Sequence, residues 1–423
     1  MRILLATDAF PPVSGGSGWS TYELARGLRA RGHELVIVQP YSDRPPSAYD
    51  GFDVVGFRVN APAVPFVRNY FRNELLYERL GSFLSRLIRD ERIDLVHAQH
   101  ELTGPASVRA ATSAGVPSVC TIRDYWPLCY WSDLIRDPHE GDICPGCSSG
   151  AMTRCLPPRV GGAWPLTLPV IPYMRANLRG KQHDLSRADA IVAVSRHVAA
   201  ELRARAPELS RTRLEVLVNG VDVAEVRALV VKSEPPINGP YALFIGKLAL
   251  NKGAGALVEV VARAQLGMPL VVVGDGPERG ALIAAAERAR VDVKVMQWLD
   301  RGDVFRWLGH ASMLIFPSKW PEPLSRVLIE ASALSVPIAA MNTGGTPDII
   351  EDEATGLLSS SVDELAHDVT RLASDVGLRQ KLGEAAGRRA ESLFDAPVVA
   401  GRFEQLYLEL VASSRARRGS GAA

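Results

Sequence analysis

Short β-branched runs alternate with amphipathic helical patterns along most of this chain, and this alternation constrains the fold more than any other feature. In the first half, strand patterns occur at residues 3–7, 34–39, 53–57, 94–98, 118–122, 190–195 and 214–218. Strands that alternate with helices usually pair in parallel, because a parallel connection needs a long crossover. We therefore predict an α/β fold built on parallel sheets.

A cluster of charged residues, proline and glycine interrupts this alternation at residues 232–240. Strand patterns then resume at 241–245, 270–273, 293–296, 313–316 and 337–340. With 423 residues the chain is long enough for two or three domains. We predict two Rossmann-like domains that face across a cleft: residues 1–232, with a cysteine-rich insertion at about 125–160, and residues 240–395. A helix at 396–415 either returns to the first domain or ends the second.

The composition excludes several classes of protein. Lys and Arg total 48 against 47 Asp and Glu, so the charge balance gives no indication of a nucleic-acid partner. Apolar residues make up 47% and charged residues 22%, which is typical of a globular chain. The first residues run into Asp8 and a Pro-Pro turn without the apolar stretch of a signal peptide. We therefore expect a cytoplasmic protein.

Glycine-rich or lysine-bearing loops follow the first strand of each predicted domain, at the edge where α/β sheets bind ligands. Gly15 and Gly16 precede a helix, where backbone N–H groups favour an anion; an ordinary strand-to-helix turn is the alternative. Lys247 and Lys252 flank a loop that suits a diphosphate, although solvated surface lysines would give the same pattern. We interpret the Gly-Asp-Gly-Pro run at 274–277 as a tight turn.

Two glutamates eight residues apart form the strongest motif. Glu322 precedes a predicted helix, and Glu330 lies about two turns inside it on roughly the same face. The neighbours of Glu330 from 327 to 331 are otherwise apolar, so its carboxylate requires partners. Ligand hydroxyls would satisfy it, and a buried structural ion pair is the alternative.

Together these motifs resemble the family 4 glycosyltransferases of the GT-B fold over nearly the whole chain. The resemblance rests on Gly15-Gly16, Val194-Ser195, Asn219 to Asp222, Gly246 to Gly253, Val273 to Pro277, Glu322 to Glu330 and Gly344-Gly345. It implies a hexosyltransferase or related enzyme that moves a sugar from a nucleotide-sugar to an acceptor hydroxyl with retention of the anomeric configuration. It also implies chemistry without a metal or other catalytic cofactor. A UDP-sugar donor is favoured over a GDP- or dTDP-sugar.

The same resemblance implies a set of donor-binding residues: Gly15, Gly16, Lys247, Lys252, Glu322, Leu324, Ser325 and Glu330. Glu322 would hold the donor sugar together with two backbone N–H groups, and Glu330 would bind the ribose hydroxyls. Lys247 and Lys252 would stabilise the departing diphosphate, which Gly16 would approach from the first domain. Glu322, Lys247 and Lys252 would thus be catalytic.

The sequence departs from the family pattern at Arg123-Asp124, where relatives commonly carry His-Asp. Arginine cannot act as a general base because it stays protonated in proteins. Arg123 and Asp124 are therefore predicted on the acceptor side, with Arg123 binding an anionic group of the acceptor or donor. A structural ion pair with a nearby acid is the alternative.

Four cysteines lie in the insertion: Cys129, Cys144, Cys147 and Cys155. Cys144 and Cys147 have the C-x2-C spacing that is common in one half of a tetrahedral zinc site. The sequence favours a structural zinc ion, with an iron–sulfur cluster and unligated thiols as the alternatives.

A basic amphipathic pattern spans residues 66–92, where arginines alternate with leucine and phenylalanine at helical spacing. Such a helix either lies on an anionic membrane or packs its apolar side into a domain core. Membrane contact would suit a lipid-linked acceptor and a peripheral position at the inner membrane face. A sugar or another small molecule is the other predicted acceptor.

Two further functions are compatible with these motifs. A nucleotide-sugar epimerase or hydrolase on the same fold would consume the donor without an acceptor. A non-catalytic nucleotide-sugar-binding protein is the other alternative, although the paired glutamates and lysines argue against it.

Overall fold

The computed structural model describes residues 1–12, 14–62 and 67–420, with side chains up to residue 418. Val13 of the first glycine loop and Phe66 of the basic segment lie outside these residues. By its internal contacts the chain divides into two compact units. Unit 1 comprises Met1–Arg136, Cys144–Gly220 and Ala396–Ala423. Unit 2 comprises Asp137–Ile143 and Val221–Asp395.

A seven-stranded sheet forms the centre of unit 1. Its strands are β1 Arg2–Ala6, β2 Glu34–Tyr41, β3 Val54–Arg58, β4 Leu95–Ala98, β5 Ser118–Ile122, β8 Ala190–Ala193 and β9 Leu214–Val216. Two short strands of the insertion, β6 Ile135–Asp137 and β7 Asp142–Ile143, form a separate two-stranded sheet. The order across the sheet is β3-β2-β1-β4-β5-β8-β9, and each of these pairings is parallel. The predicted α/β class is confirmed.

Helices cover both faces of this sheet. They are α1 Gly16–Ala30, α2 Val67–Tyr70, α3 Leu76–Asp90, α4 Gly104–Ala114, α5 Ser149–Cys155, α6 Pro157–Val160, α7 Ile171–Leu185 and α8 Arg196–Arg205. A π-helical turn at Phe71–Leu75 joins α2 to α3, and 3-10 turns occupy Gly161–Val170 and Pro207–Leu209. At the start of α8, the Ser195 side chain accepts from the Val198 N–H, which satisfies a donor that the helix leaves free.

The alternation of side chains along β1 explains why the sheet has a core on each face. Ile3 and Leu5 are fully buried on one face, and Leu4 and Ala6 on the other. The final helix, α17 Ala396–Ser420, packs against α1 and buries Phe403 in the first of these cores.

Unit 2 has a six-stranded parallel sheet. Its strands are β10 Ala242–Ile245, β11 Leu270–Val273, β12 Val293–Met296, β13 Met313–Phe316, β14 Ile338–Met341 and β15 Leu357–Ser359. The order is β12-β11-β10-β13-β14-β15, the doubly wound arrangement in which the chain changes direction beside its first strand.

The helices of unit 2 follow its strands. They are α9 Val223–Val231, α10 Ala254–Arg263, α11 Arg279–Ala289, α12 Arg301–Gly309, α13 Arg326–Ala333, α14 Thr346–Ile349, α15 Val362–Ser374 and α16 Val376–Leu393, with a 3-10 turn at Leu250–Lys252. Helix α9 packs against α12 and α13, so the break at 232–240 lies within unit 2. Among the described residues, no helix has both the length and the apolar character needed to span a bilayer.

Candidate functional site

The loop that carries Lys247 and Lys252 and the loop that carries Glu322 meet at one edge of the unit 2 sheet. Strands β10 and β13 are neighbours, and the chain leaves the sheet in opposite directions from this pair. The loop at 246–253 follows β10 and the loop at 317–325 follows β13. A crevice outside the carboxyl ends of two such strands is where α/β sheets bind ligands.

Backbone hydrogen bonds hold these two loops together. The N–H groups of Lys319 and Trp320 donate to the Asn251 carbonyl at 3.1 and 2.9 Å. Gly253 has φ +79°, and a Cβ at this position would lie 2.0 Å from the Pro317 carbonyl oxygen. Only glycine permits both this left-handed conformation and this close approach.

A buried carboxylate lies at the junction of the two loops. Glu322 is only 5% exposed. Its Oε1 atom is 2.6 Å from Lys252 Nζ and accepts a hydrogen bond of 2.7 Å from the Ser318 hydroxyl. Lys252 Nζ also lies 4.2 Å from the centre of the Trp320 ring. The ion pair and the hydrogen bond offset the cost of burying this carboxylate.

The remaining predicted donor-binding groups of the loops are Lys247 and the backbone N–H groups of Leu324 and Ser325. Lys247 is exposed, and no hydrogen bond or ion pair of its side chain is found among the described residues. The backbone N–H groups of Leu324 and Ser325, just before α13, likewise lack a hydrogen-bond acceptor in the part of the chain that the structure describes. Unit 2 therefore has a flexible cation and two free N–H donors beside the Lys252–Glu322 pair.

Glu330 differs in its setting from the prediction. Helix α13 begins at Arg326, so Glu330 lies little more than one turn inside it rather than two. Its Oε1 atom accepts from Arg326 Nε at 2.8 Å, and both side chains are 11% exposed. The ion pair foreseen as an alternative is therefore present, between residues one turn apart on the same helix.

The Gly-Asp-Gly-Pro run after β11 packs backbone to backbone on the loop after β10. The Leu248 N–H donates to the Asp275 carbonyl at 2.9 Å, and Glu278 N–H donates to the Leu248 carbonyl at 3.0 Å. The run thus connects β11 to α11 as a tight turn.

In unit 1, Gly15 and Gly16 lie at the start of α1. Gly15 is extended and its carbonyl accepts from the N–H groups of Gly18 and Trp19. A Cβ at Gly15 would meet no atom within 4 Å, so the backbone at this point is uncovered.

Two buried groups that the sequence analysis did not identify follow β1 and β4. Asp8 accepts from the N–H groups of Leu102 and Thr103, just before α4. Burial is the main cause that raises the pKa of Asp8 to about 7. His100 accepts at Nδ1 from the Asp8 N–H at 3.3 Å, and its buried Nε2 has no partner among the described residues. Burial holds the pKa of His100 well below its usual value, so the ring is neutral.

Arg123 and Asp124 follow β5 in the same unit. Arg123 Nε donates to Asn219 Oδ1 at 3.1 Å, and Arg123 Nη1 donates to the Gln99 carbonyl at 3.1 Å. Asp124 accepts from the Trp126 N–H at 2.8 Å. Burial, reinforced by the charge of Glu101, raises the pKa of Asp124 to about 7. Asp8 and Asp124 are thus buried carboxyl groups whose raised pKa values lie near physiological pH.

The four cysteines of the insertion are reduced, and Cys129, Cys144 and Cys155 are buried. Their thiols have separate partners: Cys144 Sγ lies 3.2 Å from the Gly146 carbonyl and Cys155 Sγ 3.5 Å from the Met152 carbonyl. Burial raises the pKa of Cys129 to about 12 and that of Cys147 to about 11. Within residues 1–12, 14–62 and 67–420, no three His, Cys, Asp or Glu side chains are grouped so as to hold a metal ion. The arrangement of the thiols gives the zinc prediction no support.

The basic segment at 66–92 packs mainly into the core of unit 1. Helix α3 buries Leu80, Leu84 and Ile88 against α4, and its arginines at 79, 86 and 89 are exposed. Among the described residues 67–92, the large apolar side chains that are exposed to solvent lie at the beginning of the segment: Val67 is 44% and Tyr70 49% exposed.

Comparison with known proteins gives two family matches. The model of Glycosyltransferase Family 4 matches residues 14–225, and the model of Glycosyl transferases group 1 matches residues 227–389. Among curated proteins, the chain is 27% identical over 431 residues to glycogen synthase of Mycobacterium tuberculosis. That alignment covers 96% of this chain and 94% of the relative.

Solved structures with the same fold include two GT-B proteins. Sucrose-phosphate synthase from Thermosynechococcus elongatus aligns with a TM-score of 0.69 at 20% identity, covering 97% of this chain and 99% of the other. Anabaena HepE in complex with UDP-glucose aligns with a TM-score of 0.65 at 18% identity, covering 98% and 100% of the two chains. These likenesses identify the fold.

Proposed function

Because the chain belongs to Glycosyltransferase Family 4 and is a glycosyltransferase, we propose that it transfers a hexose from a UDP-sugar to an acceptor hydroxyl, with retention and without a metal ion. The observation that carries this proposal is the Lys252–Glu322 ion pair, whose carboxylate is buried and which lies where the strand order of the unit 2 sheet reverses. A buried carboxylate and a cation at this edge suit a sugar that is joined to a diphosphate.

The proposed donor is a UDP-sugar rather than a GDP- or dTDP-sugar. Support comes from Anabaena HepE, whose fold matches this chain and which binds UDP-glucose in its solved structure. Glu330 would accept hydrogen bonds from the ribose hydroxyls at its second oxygen, while Arg326 holds the first. Arg326 then fixes the orientation of the carboxylate.

In the proposed reaction, Glu322 accepts from a hydroxyl of the donor sugar, and the free N–H groups of Leu324 and Ser325 bind the sugar or its phosphate. The bond between the anomeric carbon and the diphosphate oxygen breaks while the acceptor oxygen bonds to that carbon on the same face. The acceptor proton passes to the departing phosphate. Lys247 and Lys252 neutralise the charge that develops on the diphosphate, where an electrostatic contact has its largest effect on rate.

Acceptor binding is proposed for unit 1. Arg123, held by Asn219 and Gln99, would bind an anionic group, with Asp124 beside it. Gly15 and Gly16 remain predicted donor contacts, and a Cβ at Gly15 would meet no atom within 4 Å. An Arg123→His variant with full activity on the natural substrate would contradict the role of Arg123.

The test is a panel of UDP-, GDP- and dTDP-hexoses added to the purified protein with a metal chelator. We expect a UDP-hexose to raise the melting temperature, because a ligand that binds only the folded state stabilises it. NMR of the glycoside formed should show the anomeric configuration of the donor. Consumption of the donor without an acceptor would instead indicate an epimerase or hydrolase. Binding without turnover on any acceptor would indicate a non-catalytic protein.

Peripheral contact with the cytoplasmic face of the inner membrane is a separate proposal. It rests on Val67 and Tyr70, which are exposed beside Arg68. Flotation with anionic liposomes should fall when Val67 and Tyr70 are replaced by serine, and unchanged flotation would contradict it.

A structural zinc ion at the four cysteines is also a proposal, and it rests on the C-x2-C spacing alone. It predicts one zinc per chain in the purified protein and loss of that zinc in Cys147→Ser. The matched control is Cys120→Ser, because Cys120 lies in β5 outside the insertion. Metal-free protein would contradict the proposal.

A further inference from the structure

Unit 1 contains a second concave surface, between the insertion and α7 and α8, that the proposed reaction does not use. It is a cavity of about 660 Å³, bounded by the loop after Cys144, by α5 and α7, and by the end of α8. This volume is in the range of sites that bind small organic ligands. All of its lining residues belong to unit 1.

Four arginines line the cavity against one carboxylate. They are Arg154, Arg175, Arg179 and Arg205, and Glu208 is the acid. Guanidinium groups bind phosphate oxygens through planar pairs of N–H donors, which makes arginine the preferred side chain for phosphate esters. A cavity with this excess of positive charge is complementary to an anion with more than one negative charge.

The arginines have unused donors. No side-chain partner of Arg154 or Arg179 is found among the described residues, and both are exposed. Arg175 uses Nη1 to donate to the Ser149 hydroxyl at 2.8 Å. Arg205 pairs through Nε with Glu201 at 2.9 Å, but its Nη1 is buried without an acceptor. A buried guanidinium nitrogen without a partner is costly, and a bound anion would satisfy it.

The surroundings form a rigid support for a ligand. Met152 at 1% exposure and Leu178 at 8% form an apolar floor. Met152 belongs to a core of the insertion that also contains Tyr130, Leu156 and Met174. Gly146 lines the cavity, and a Cβ there would meet no atom within 4 Å, so its backbone borders open space.

We propose that this cavity binds a ligand carrying a phosphomonoester or diphosphate group, through Arg175, Arg179 and the free Nη1 of Arg205. The anionic group lies at the arginine rim, and the less polar part of the ligand lies against Met152 and Leu178. The ligand is either a soluble phosphate ester or the headgroup of a lipid. The site is independent of the proposed donor site in unit 2, and binding alone tests it.

The test uses the full chain and calorimetric titration with pyrophosphate. The double variant Arg175→Gln/Arg179→Gln should bind pyrophosphate at least about 10-fold more weakly than the wild type, because two charge-assisted contacts are lost. The matched control is Arg288→Gln/Arg388→Gln, which removes two exposed arginines from unit 2 and should leave this affinity unchanged. The variant Lys247→Gln, titrated in the same way, shows how much of the pyrophosphate binds at the loop after β10. If binding disappears in Lys247→Gln and is unchanged in the Arg175/Arg179 variant, the proposal is wrong.

A second readout locates the ligand. Cys147 lines the cavity and is partly exposed, so bound pyrophosphate should slow its alkylation in the wild type and not in Arg175→Gln/Arg179→Gln. Equal alkylation with and without pyrophosphate would overturn the proposal.

Vesicles distinguish the two sources of phosphate. Flotation with phosphatidic acid vesicles, but not with phosphatidylcholine vesicles, that depends on Arg175 and Arg179 indicates a lipid headgroup. Pyrophosphate binding that depends on these arginines without such flotation indicates a soluble ligand. If neither form of binding depends on them, the cavity does not bind phosphate.

Discussion

The two parallel sheets reverse their strand order in the same way, beside β1 in unit 1 and beside β10 in unit 2, but the reversal points have different chemistry. In unit 2 the loops present a flexible exposed lysine and a paired Lys252–Glu322. In unit 1 the corresponding loops hold buried groups, Asp8 and His100, whose pKa values are shifted toward the neutral form. The same topology thus supports two sites with different electrostatics, because the loops rather than the strands carry the ionisable groups.

This difference fits the two halves of the proposed reaction. A diphosphate leaving group needs formal positive charge close to it. A hydroxyl acceptor needs orientation and hydrogen bonds, and the fixed charge that we assign to its side is the guanidinium of Arg123.

The largest effect is expected at the unit 2 site. Glu322→Gln removes the negative charge that holds Lys252 and the proposed acceptor for the sugar hydroxyl, so the transfer rate should fall about 10³-fold with the fold intact. Steady-state kinetics with the UDP-hexose measures this. Glu353→Gln is the matched control, because it removes a glutamate of unit 2 that is paired with Arg371 at the surface. Normal transfer by Glu322→Gln would remove the basis for calling this edge of unit 2 the donor site.

The second effect concerns the support beneath that pair. Gly253→Ala places a Cβ against the Pro317 carbonyl and requires a left-handed conformation, so unfolding should become easier by about 3 kcal/mol. Chemical denaturation measures this, and affinity for the donor should fall as well. Gly267→Ala is the control, since a Cβ there meets no atom within 4 Å. Equal stability of the two variants would show that the loops are not held together at this point.

The third effect distinguishes the two lysines. Lys247 is exposed and unpaired among the described residues, so Lys247→Gln should leave the free energy of unfolding unchanged. It should lower kcat about 30-fold, because the charge that develops on the departing diphosphate is less well neutralised. Lys294→Gln, at an exposed position of β12, serves as the control. A rise in KM with an unchanged kcat would mean that Lys247 contributes only to binding of the ground state.

The smallest effect is expected in unit 1. Asp124 keeps its proton in the folded state up to about pH 7, whereas in the unfolded chain it loses it near 3.8. The folded state binds more protons between these values, so the contribution of Asp124 to stability falls as the pH rises and stays low above 7. Asp124→Asn cannot ionise. Its free energy of unfolding should exceed that of the wild type near pH 8 and approach it near pH 4.

Denaturation at the two pH values gives this difference. The buried histidines His97 and His100, whose pKa values are lowered, act with the opposite sign, but they contribute equally in both proteins and cancel. Asp292→Asn, at an exposed position of unit 2, should show no such dependence. A constant difference between Asp124→Asn and the wild type at all pH values would contradict the raised pKa.

Much of the fold follows from local patterns. The strand patterns at 3–7, 118–122 and 313–316 each match an observed strand to within one residue, because buried parallel strands are continuous apolar runs that sequence reveals directly. The paired glutamates were also visible, since a glutamate in an apolar helix is unusual. The sequence did not show that α13 begins only at Arg326, and this is why Glu330 was expected one turn deeper in the helix.

The polar network of unit 1 could not be predicted because non-local pairing creates it. Asp8 and His100 are 92 residues apart and meet only because β1 and β4 are neighbours. His97 lies 2.5 Å from the Tyr407 hydroxyl of α17, more than 300 residues away. A sequence signal did exist for Asp8 and His100, since each is a polar residue just past the end of an apolar strand. The arginine cavity has no such signal, because its four arginines come from three different helices, α5, α7 and α8.

The position of α17 has a consequence for synthesis of the protein. The ribosome makes residues 1–220 first, but the hydrophobic interior of that portion includes Val399, Phe403 and Leu410, which emerge only after the whole of unit 2. The apolar surface that α17 covers in unit 1 therefore stays exposed on the nascent chain while some 175 residues are translated. A premature stop before residue 396 would leave that surface permanently uncovered and favour aggregation or capture by chaperones.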